Sequence, residues 1–313
     1  MIKAKWVMLS RRYAVVCCML VICLGGGVWR HHTLRVMTTA KDATLAVPTG
    51  LVQRVGDRSV MLHWEPVGDA HLAGYRVYRV PSLTGLLEHP RGLLRANHFV
   101  DFEVENGVTY RYWVRAVDTA GRESHDSAML SATPHVLPDE AFLDLVQRTA
   151  FDYFWYEANP HNGLIKDRSS ETSVSSIAAV GFGLSALTVG IDRGWISREA
   201  GRERVRTTLA FLWHSPQGPQ ADATGYKGFY YHFLDLHTGR RVPEAELSTI
   251  DTALLLSGVL HVQHYFDHPD VTEAQIRALA NDLYRRVEWP WMQVRLAKLC
   301  HGWTPETGFL PYD

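Results

Sequence analysis

Residues 225–262 read GYKGFYYHFLDLHTGRRVPEAELSTIDTALLLSGVLHV, and this stretch decides the fold of the C-terminal part of the chain. It begins with an aromatic segment flanked by glycine, residues 228–236, which predicts a strand. A turn and two arginines follow, and then the carboxylates Glu244 and Glu246. Residues 248–251, STID, have the Ser-x-x-Asp pattern of a helix start before an apolar run. We therefore expect a strand, a turn and a capped helix, with a carboxylate just outside the helix N-terminus.

This arrangement places an acidic side chain among aromatic and arginine side chains. Aromatic faces stack on pyranose rings, and a carboxyl group can transfer the proton that cleavage of a sugar linkage requires. The pattern is therefore typical of a carbohydrate cleft. An ordinary hairpin that leads into a capped core helix explains the same residues, and this stretch alone leaves both interpretations open.

Length and composition indicate about two domains with real cores, since the chain has 313 residues of which 46% are hydrophobic. The formal net charge of −1 shows no basic or acidic excess, so nucleic acid is not an expected partner. Three of the four cysteines lie in an N-terminal apolar run, which leaves Cys300 for the folded part. We expect no disulfide framework there, a buried Cys300 and no cofactor.

The N-terminus has the pattern of an export element. Four basic residues precede an uncharged apolar run, residues 13–29, and Arg30 closes it. No clear small-x-small cleavage site follows, so residues 1–32 are predicted to be either a signal peptide or an uncleaved signal anchor, followed by a linker at 33–43. The rest of the protein is expected to be periplasmic or secreted, with membrane contact only through this segment.

Residues 44–134 predict a small all-β domain. Large apolar residues alternate in runs at 60–64, 74–80 and 110–117, with turn signals between them, as in an antiparallel sandwich. Trp64 and Tyr110 are expected in its core. The spaced motifs at 62–64, 74–79, 110–118 and 121–124 resemble a fibronectin type III domain, which implies a spacer or docking role rather than catalysis.

After a proline-bounded linker at 135–139, the apolar period changes from two to 3.6 residues, which predicts an all-α region from 140 to 313. A helix is expected to open at Asp139, and the next ones at about 175–189, 197–213 and 248–266. A fifth helix is expected to start at a capping box, Thr272-x-x-Gln275. Long loops between alternate helices suggest stacked helix pairs with one functional rim.

Six segments of this region together resemble the bacterial glycoamylase-like family; they are residues 163–168, 176–182, 193–198, 229–235, 246–253 and 303–309. Its characterised relatives include endo-β-1,2-glucanases, which are inverting hydrolases on an (α/α)6 barrel, and domains of cyclic β-1,2-glucan synthases. The resemblance implies an exported hydrolase of a bacterial glucan, with a β-1,2-glucan as the best guess. An inactive carbohydrate-binding protein, or a lyase or epimerase on the same toroid, stays open.

An inverting hydrolase needs one carboxylic acid to protonate the leaving oxygen and one carboxylate to activate water. We expect Glu246 to be the acid, since it lies beside a helix start among aromatic side chains that could raise its pKa. A charge favoured by the helix dipole is the structural alternative. Asp167 is the next candidate, as base or substrate ligand, and an ion pair with Arg168 is its structural alternative.

Further residues of the rim are candidate substrate ligands or stacking platforms. Asp251 is expected mainly to complete the Ser248 cap. Trp195 is a weaker stacking candidate. Histidines at 261, 264 and 268 recur at metal-ligand spacing near a helix end, but no glutamate completes a zinc-protease pattern, and no metal is expected. The predicted substrate-binding residues are Arg168, Glu171, Tyr230, His232, Asp235, Asp251, Trp303 and Glu306.

A complete (α/α)6 barrel needs about twelve helices, and residues 140–313 supply about half of them. We therefore expect an incomplete toroid. Its open edge would expose apolar helix faces, which predicts self-association of the chain.

Overall fold

The computed structural model describes residues 45–81, 92–170, 172–295 and 298–311. Its N-terminal part contains two antiparallel three-stranded sheets, in the orders β1-β2-β4 and β3-β5-β6. The strands are β1 (Val52–Gly56), β2 (Ser59–His63), β3 (Leu72–Pro81), β4 (His98–Asp101), β5 (Tyr110–Asp118) and β6 (Leu130–Ala132). The three strands predicted from the alternating pattern are confirmed as β2, β3 and β5.

Side chains from both sheets share one apolar core, because successive residues of a strand point to opposite faces. In β2, Val60 and Leu62 are buried while Met61 between them is half-buried. Trp64 and Tyr110 are buried in this core, as predicted. Two antiparallel sheets around one core agree with the predicted sandwich, and the fibronectin type III assignment stays a prediction. The predicted signal segment and first linker lie outside the described residues.

The C-terminal part contains six helices and seven short strands in its described residues. The helices are α1 (Asp139–Tyr156), α2 (Ile177–Asp192), α3 (Arg198–His214), α4 (Thr249–Tyr265), α5 (Val271–Arg286) and α6 (Trp289–Met292). The strands are β7 (Ser175–Ser176), β8 (Gly225–Tyr226), β9 (Phe229–Tyr231), β10 (Phe233–Leu234), β11 (Leu247–Ser248), β12 (Gly302–Thr304) and β13 (Gly308–Phe309). The prediction of an all-α region did not include most of these strands, which tie its loops together.

The start of α5 differs from its prediction. Asp270 caps this helix, and its carboxylate accepts hydrogen bonds from the backbone N–H groups of Thr272 and Glu273. The expected capping box of Thr272 and Gln275 is therefore wrong. An aspartate two residues earlier provides the same acceptor for the unpaired N–H groups at a helix start, and it outcompetes the threonine.

Helices α2 and α4 pack closely because each has a glycine at the contact. A Cβ atom at Gly181 would overlap the backbone carbonyl of Leu254, and one at Gly258 would overlap the carbonyl of Gly181. These two glycines thus allow α2 and α4 to approach each other closely. Both helices also begin in the same way, with a two-residue strand that ends in a capping serine, Ser176 or Ser248.

These two helices also carry large apolar side chains that are exposed. Phe182 and Val189 of α2 and Ile250 of α4 expose 55%, 45% and 53% of their surface. They lie on the side of each helix opposite to its buried residues. In the described part of the chain, no helix is both long enough and apolar enough to cross a membrane.

Candidate active site

One extended segment, residues 229–234, connects the starts of α2 and α4. Its first half, β9, pairs with β11 directly before α4, and its second half, β10, pairs with β7 directly before α2. His232 lies where the segment changes partner. Its N–H donates to the carbonyl of Glu246 at 2.9 Å, and its carbonyl accepts from the N–H of Ile177 at 3.1 Å. The residues that begin both helices therefore fix the backbone of His232.

The side chain of His232 faces one carboxylate with each ring nitrogen. Nδ1 lies 2.9 Å from Oε1 of Glu246, at hydrogen-bond distance, and Nε2 lies 3.7 Å from Oδ1 of Asp251. The Asp251 N–H also donates to Ser248 Oγ at 3.1 Å, and this serine hydroxyl donates to the Asp251 carboxylate. The predicted Ser248 cap is thus confirmed, and the capping residue also orients the second carboxylate at His232.

The hydrogen bond between His232 and Glu246 shifts the pKa of both groups. It raises the pKa of His232 above the ordinary 6.5 against the opposing effect of burial, and the charges of Asp251, Glu246 and Asp167 add to the increase. The same bond lowers the pKa of Glu246 below 4.5, again against burial. The raised pKa expected for Glu246 is therefore wrong for the free protein, because an imidazolium rather than an apolar surface faces its carboxylate.

Asp167 and Arg168 form the ion pair that was the structural alternative for them. Arg168 donates to Asp167 Oδ2 from Nε at 3.0 Å and from Nη2 at 2.7 Å. The guanidinium side chain is 74% exposed and the carboxylate 24%. Asp167 is also close enough for its charge to affect the pKa of His232, so the structure brings Asp167 into the electrostatic surroundings of the cluster.

Glu306, a predicted substrate ligand, pairs with Arg241, and its role in substrate binding stays a prediction. Both of its carboxylate oxygens accept hydrogen bonds from Arg241, at 2.6 and 2.9 Å. The Arg241 side chain is buried, and its Nε donates to the carbonyl of Ala245 at 2.6 Å. Glu306 thus ties the β12–β13 turn to the loop before Glu246. The sequence analysis did not predict the role of Arg241. The only signal for it in the sequence is its position beside Arg240, before Glu244 and Glu246.

Asp235, another predicted substrate ligand, holds its own turn. Its Oδ1 accepts from the N–H groups of His237 and Thr238, at 3.1 and 2.7 Å, and from the Thr238 hydroxyl at 2.7 Å. These bonds lower the pKa of Asp235. Oδ1 of Asp235 therefore has a local role in the fold, and the predicted contact of Asp235 with substrate stays a prediction.

The aromatic candidates divide between core and rim. Tyr230 is 1% exposed and donates its hydroxyl to the carbonyl of Leu212 at 2.8 Å, so it belongs to the core and not to a sugar-stacking surface. Trp303 is half-buried and packs against Trp291 and Tyr226. Trp195 packs on Phe151. Glu171 lies outside the described residues.

The cluster offers three possible metal ligands, since one donor atom from each of His232, Glu246 and Asp251 lies within 4.8 Å of the other two. The raised pKa of His232 favours the imidazolium form, which has no lone pair for a metal. The same three groups can also hold and transfer a proton. Of the histidines at metal spacing, His261 lies 3.1 Å from the hydroxyl of Thr188 and is held there.

A helical region with capped helix starts and a half-exposed carboxylate cluster at one rim defines a candidate carbohydrate-active domain. No family model matches this chain. The chain is 33% identical over 243 residues to the exo-β-1,2-glucooligosaccharide sophorohydrolase (non-reducing end) of Parabacteroides distasonis. This match covers 75% of the chain and 32% of the relative, so the chain spans about a third of the length of that relative.

Solved structures give the same result. The crystal structure of a β-1,2-glucanase from Parabacteroides distasonis superposes with a TM-score of 0.72 at 31% identity, over 85% of this chain and 38% of that one. A candidate glucoamylase from Bacteroides uniformis superposes with a TM-score of 0.51 at 31% identity, over 56% of this chain and 42% of that one. The predicted resemblance to the glycoamylase-like family, which is related to β-1,2-glucanases, is thus confirmed.

Proposed function

We propose that this chain supplies part of the active site of a glycoside hydrolase that acts on a β-1,2-linked glucan. The similarity to the sophorohydrolase and to the β-1,2-glucanase supports the substrate class. The hydrogen-bonded pair of His232 and Glu246, at the rim where α2 and α4 begin, is the observation that carries the assignment of the site. In this proposal Glu246 transfers the proton and His232 controls where that proton resides.

The pair can change its charge when substrate binds. In the free protein the shifted pKa values favour imidazolium and carboxylate, and both side chains are about one third exposed, at 30% and 32%. A bound sugar would exclude water from the pair. Desolvation penalises separated charges, so it favours neutral imidazole and a carboxylic acid with the same total number of protons. Glu246 would then be in the form that a general acid requires.

We propose Asp167 as the second group, either as the base that activates water or as a ligand of the sugar. Its charge already acts on His232, and the guanidinium that pairs with it is mostly exposed. An exposed ion pair of this kind contributes little to stability, so a substrate hydroxyl can replace Arg168 at low cost. An inverting mechanism requires the two carboxyl groups to be roughly 6.5–9.5 Å apart with a water between them.

The test is hydrolysis of linear β-1,2-glucan by the protein as its host produces it. We expect Glu246→Gln to reduce turnover by at least about a hundredfold, because general acid catalysis contributes this much or more. Glu244→Gln is the matched control, since Glu244 is exposed two residues away and the same charge is removed. Proton NMR of the first products reports the anomeric configuration. Unsaturated or isomerised products would indicate lyase or epimerase chemistry instead of hydrolysis. Glucan binding without turnover would refute the proposal that the protein is an enzyme.

We also propose that the protein is exported, with residues 1–32 as the signal peptide or anchor. The basic residues ahead of an uncharged apolar run support this. Cell fractionation followed by intact-mass measurement tests the proposal. Recovery of the protein from the cytoplasmic fraction would refute it, and the mass of the exported form distinguishes cleavage from anchoring.

A further inference from the structure

A cavity lies where α1 packs against the β1-β2-β4 sheet, away from the His232 cluster. Its volume is about 210 Å³. Strand residues and α1 residues line it together, and most of its wall is carbon. The apolar part of the wall consists of Val52, Met61, Leu62, Phe99, Val100 and Tyr156.

Two buried polar atoms of residues in this wall have no hydrogen-bond partner among the described residues, Nδ1 of His63 and Oε1 of Glu157. Glu157 is only 7% exposed and lines the cavity at the end of α1. Its Oε2 pairs with Lys166 Nζ at 2.6 Å. Its Oε1 accepts no hydrogen bond from the described residues, and Nε2 of His98 lies 3.6 Å away, beyond hydrogen-bond distance. An unsatisfied buried acceptor is costly, so this oxygen provides a binding position for a donor.

Both carboxylates at the cavity are paired with basic side chains of the protein. Asp152 pairs with both Arg54 and Arg148, and Glu157 pairs with Lys166. Burial lowers the pKa of His63 to about 4, so this wall residue is neutral at pH 7. Its ring stacks on Tyr156, with the ring centroids 3.7 Å apart. Both carboxylates are therefore already paired, and the site has an aromatic wall.

Water alone is a poor occupant of such a space. A buried water needs two to four polar partners, whereas an apolar cavity of about 150 Å³ stays dry and binds benzene. This cavity is somewhat larger, and only two buried polar atoms of its lining residues, Nδ1 of His63 and Oε1 of Glu157, lack a partner. A sugar would bring many hydroxyls that the carbon walls could not satisfy.

We propose that the cavity between α1 and the β1-β2-β4 sheet binds a small neutral aromatic compound with one hydrogen-bond donor. Phenol represents this class. Its ring packs against the apolar wall and its hydroxyl donates to Oε1 of Glu157. The site is separate from glucan hydrolysis and does not depend on the function proposed above.

Binding of phenol and of toluene to the whole protein tests the proposal, with saturation-transfer NMR to detect contact and titration calorimetry to measure affinity. The two probes have similar shape, but only phenol has a donor. We expect phenol to bind about tenfold more tightly, since a hydrogen bond to a charged acceptor has this order of effect. Equal affinities, or no binding of either probe, would overturn the proposal.

Filling the cavity tests its location. Val100→Phe places a larger side chain in the wall, and we expect it to weaken both probes at least about tenfold. Val52→Phe, from β1, serves as a second filled variant if the first does not fold by near-UV circular dichroism. Val136→Phe is the matched control, because Val136 is 69% exposed and does not line the cavity. Unchanged binding in a folded filled variant would place the probes elsewhere and overturn the proposal.

Glu157→Gln tests the acceptor. Lys166 would hold the amide oxygen of the new side chain, which turns the amide NH2 towards the cavity. The preference for phenol over toluene should then fall below about threefold, while the affinity for toluene stays unchanged. A full preference for phenol in this variant would overturn the role of Glu157.

Discussion

Two clusters in the described part of the chain contain the same residue types, and they differ in what they can do. At the rim, His232, Glu246 and Asp251 bring one donor atom each within 4.8 Å of the others. At the start of α5, His268, Asp270 and Glu273 do the same. Each cluster has one histidine, one aspartate and one glutamate, and each lies at a helix start. Composition alone therefore does not distinguish them.

The partner of the glutamate makes the difference. Glu273 is fully buried, and Arg198 binds both of its oxygens, at 2.7 and 2.9 Å. Burial would raise the pKa of Glu273, but the bonds from Arg198 and from the N–H of His268 outweigh it and lower the pKa. An arginine does not release a proton in a protein, whereas an imidazole does so near neutral pH. Only at the rim is the side chain that hydrogen-bonds the glutamate one that can release its proton near neutral pH.

The largest expected effect is on stability, at the α5 cluster. Glu273→Gln leaves the Arg198 guanidinium with a neutral partner in a site closed to water, and we expect it to lower the free energy of unfolding by about 3 kcal/mol. Urea unfolding followed by circular dichroism measures it. Glu199→Gln is the control, because Glu199 also pairs with an arginine but is 70% exposed. A loss below about 1 kcal/mol would show that the two clusters do not differ in this way.

The next effect is on catalysis, at the rim. His232→Asn removes the imidazole, and we expect turnover of β-1,2-glucan at pH 7 to fall about a hundredfold, with little change in KM. The alkaline limb of the pH profile should move at the same time, since the group that loses its proton there is gone. His264→Asn, on the exposed face of α4, is the control. An unchanged pH profile with lower turnover would reduce His232 to a structural role.

The sequence predicted the elements well where local pattern and packing agree. The alternation in β2, β3 and β5, and the Ser248–Asp251 cap, depend on neighbours within a few residues, so they could be read directly from the sequence. The start of α5 could not be read from the sequence, because two acceptors competed for the same N–H groups and the sequence pattern favoured Thr272 over Asp270. The short strands β7 to β13 are too short to give a periodic pattern.

The site was predicted less completely, because charge pairing joins residues that are far apart in the sequence. Glu306 meets Arg241 across 65 positions, and no local pattern indicates that both of its oxygens are engaged. For the same reason the pKa of Glu246 is lowered where a raised pKa was predicted, because its partner His232 is 14 residues away in the sequence. Tyr230 and Tyr231 are both buried, and an aromatic run cannot show which rings a sheet turns inward.

A smaller effect is expected for Glu306, and it tests whether this residue takes part in catalysis. Glu306→Gln keeps one acceptor for the buried Arg241, so we expect a small loss in the free energy of unfolding and turnover within about twofold of the wild type. Thermal unfolding and glucan hydrolysis measure the two quantities. Thr307→Ala, in the same turn, is the control. A fall of more than about tenfold in turnover would restore Glu306 to the substrate-binding residues.

The smallest effect is the pH dependence of the coupling between His232 and Glu246. The pKa of His232 is raised on folding, so its contribution is complete below 6.5 and is lost as the pH rises through the raised value. The pKa of Glu246 is lowered, so its contribution is present above 4.5 and is lost as the pH falls through the lowered value. A double-mutant cycle with His232→Asn and Glu246→Gln should therefore give its largest coupling between pH 4.5 and 6.5.

The coupling should stay below about 1 kcal/mol, because water and salt screen a pair that is one third exposed, and 1 M salt should weaken it. At the α5 cluster, the equivalent cycle with Arg198→Gln and Glu273→Gln should show no loss between pH 6.5 and 9, since arginine keeps its proton there. A rim coupling that persists to pH 9 would mean that His232 holds Glu246 by geometry alone, and the distinction between the two clusters would then rest on exposure rather than on an exchangeable proton.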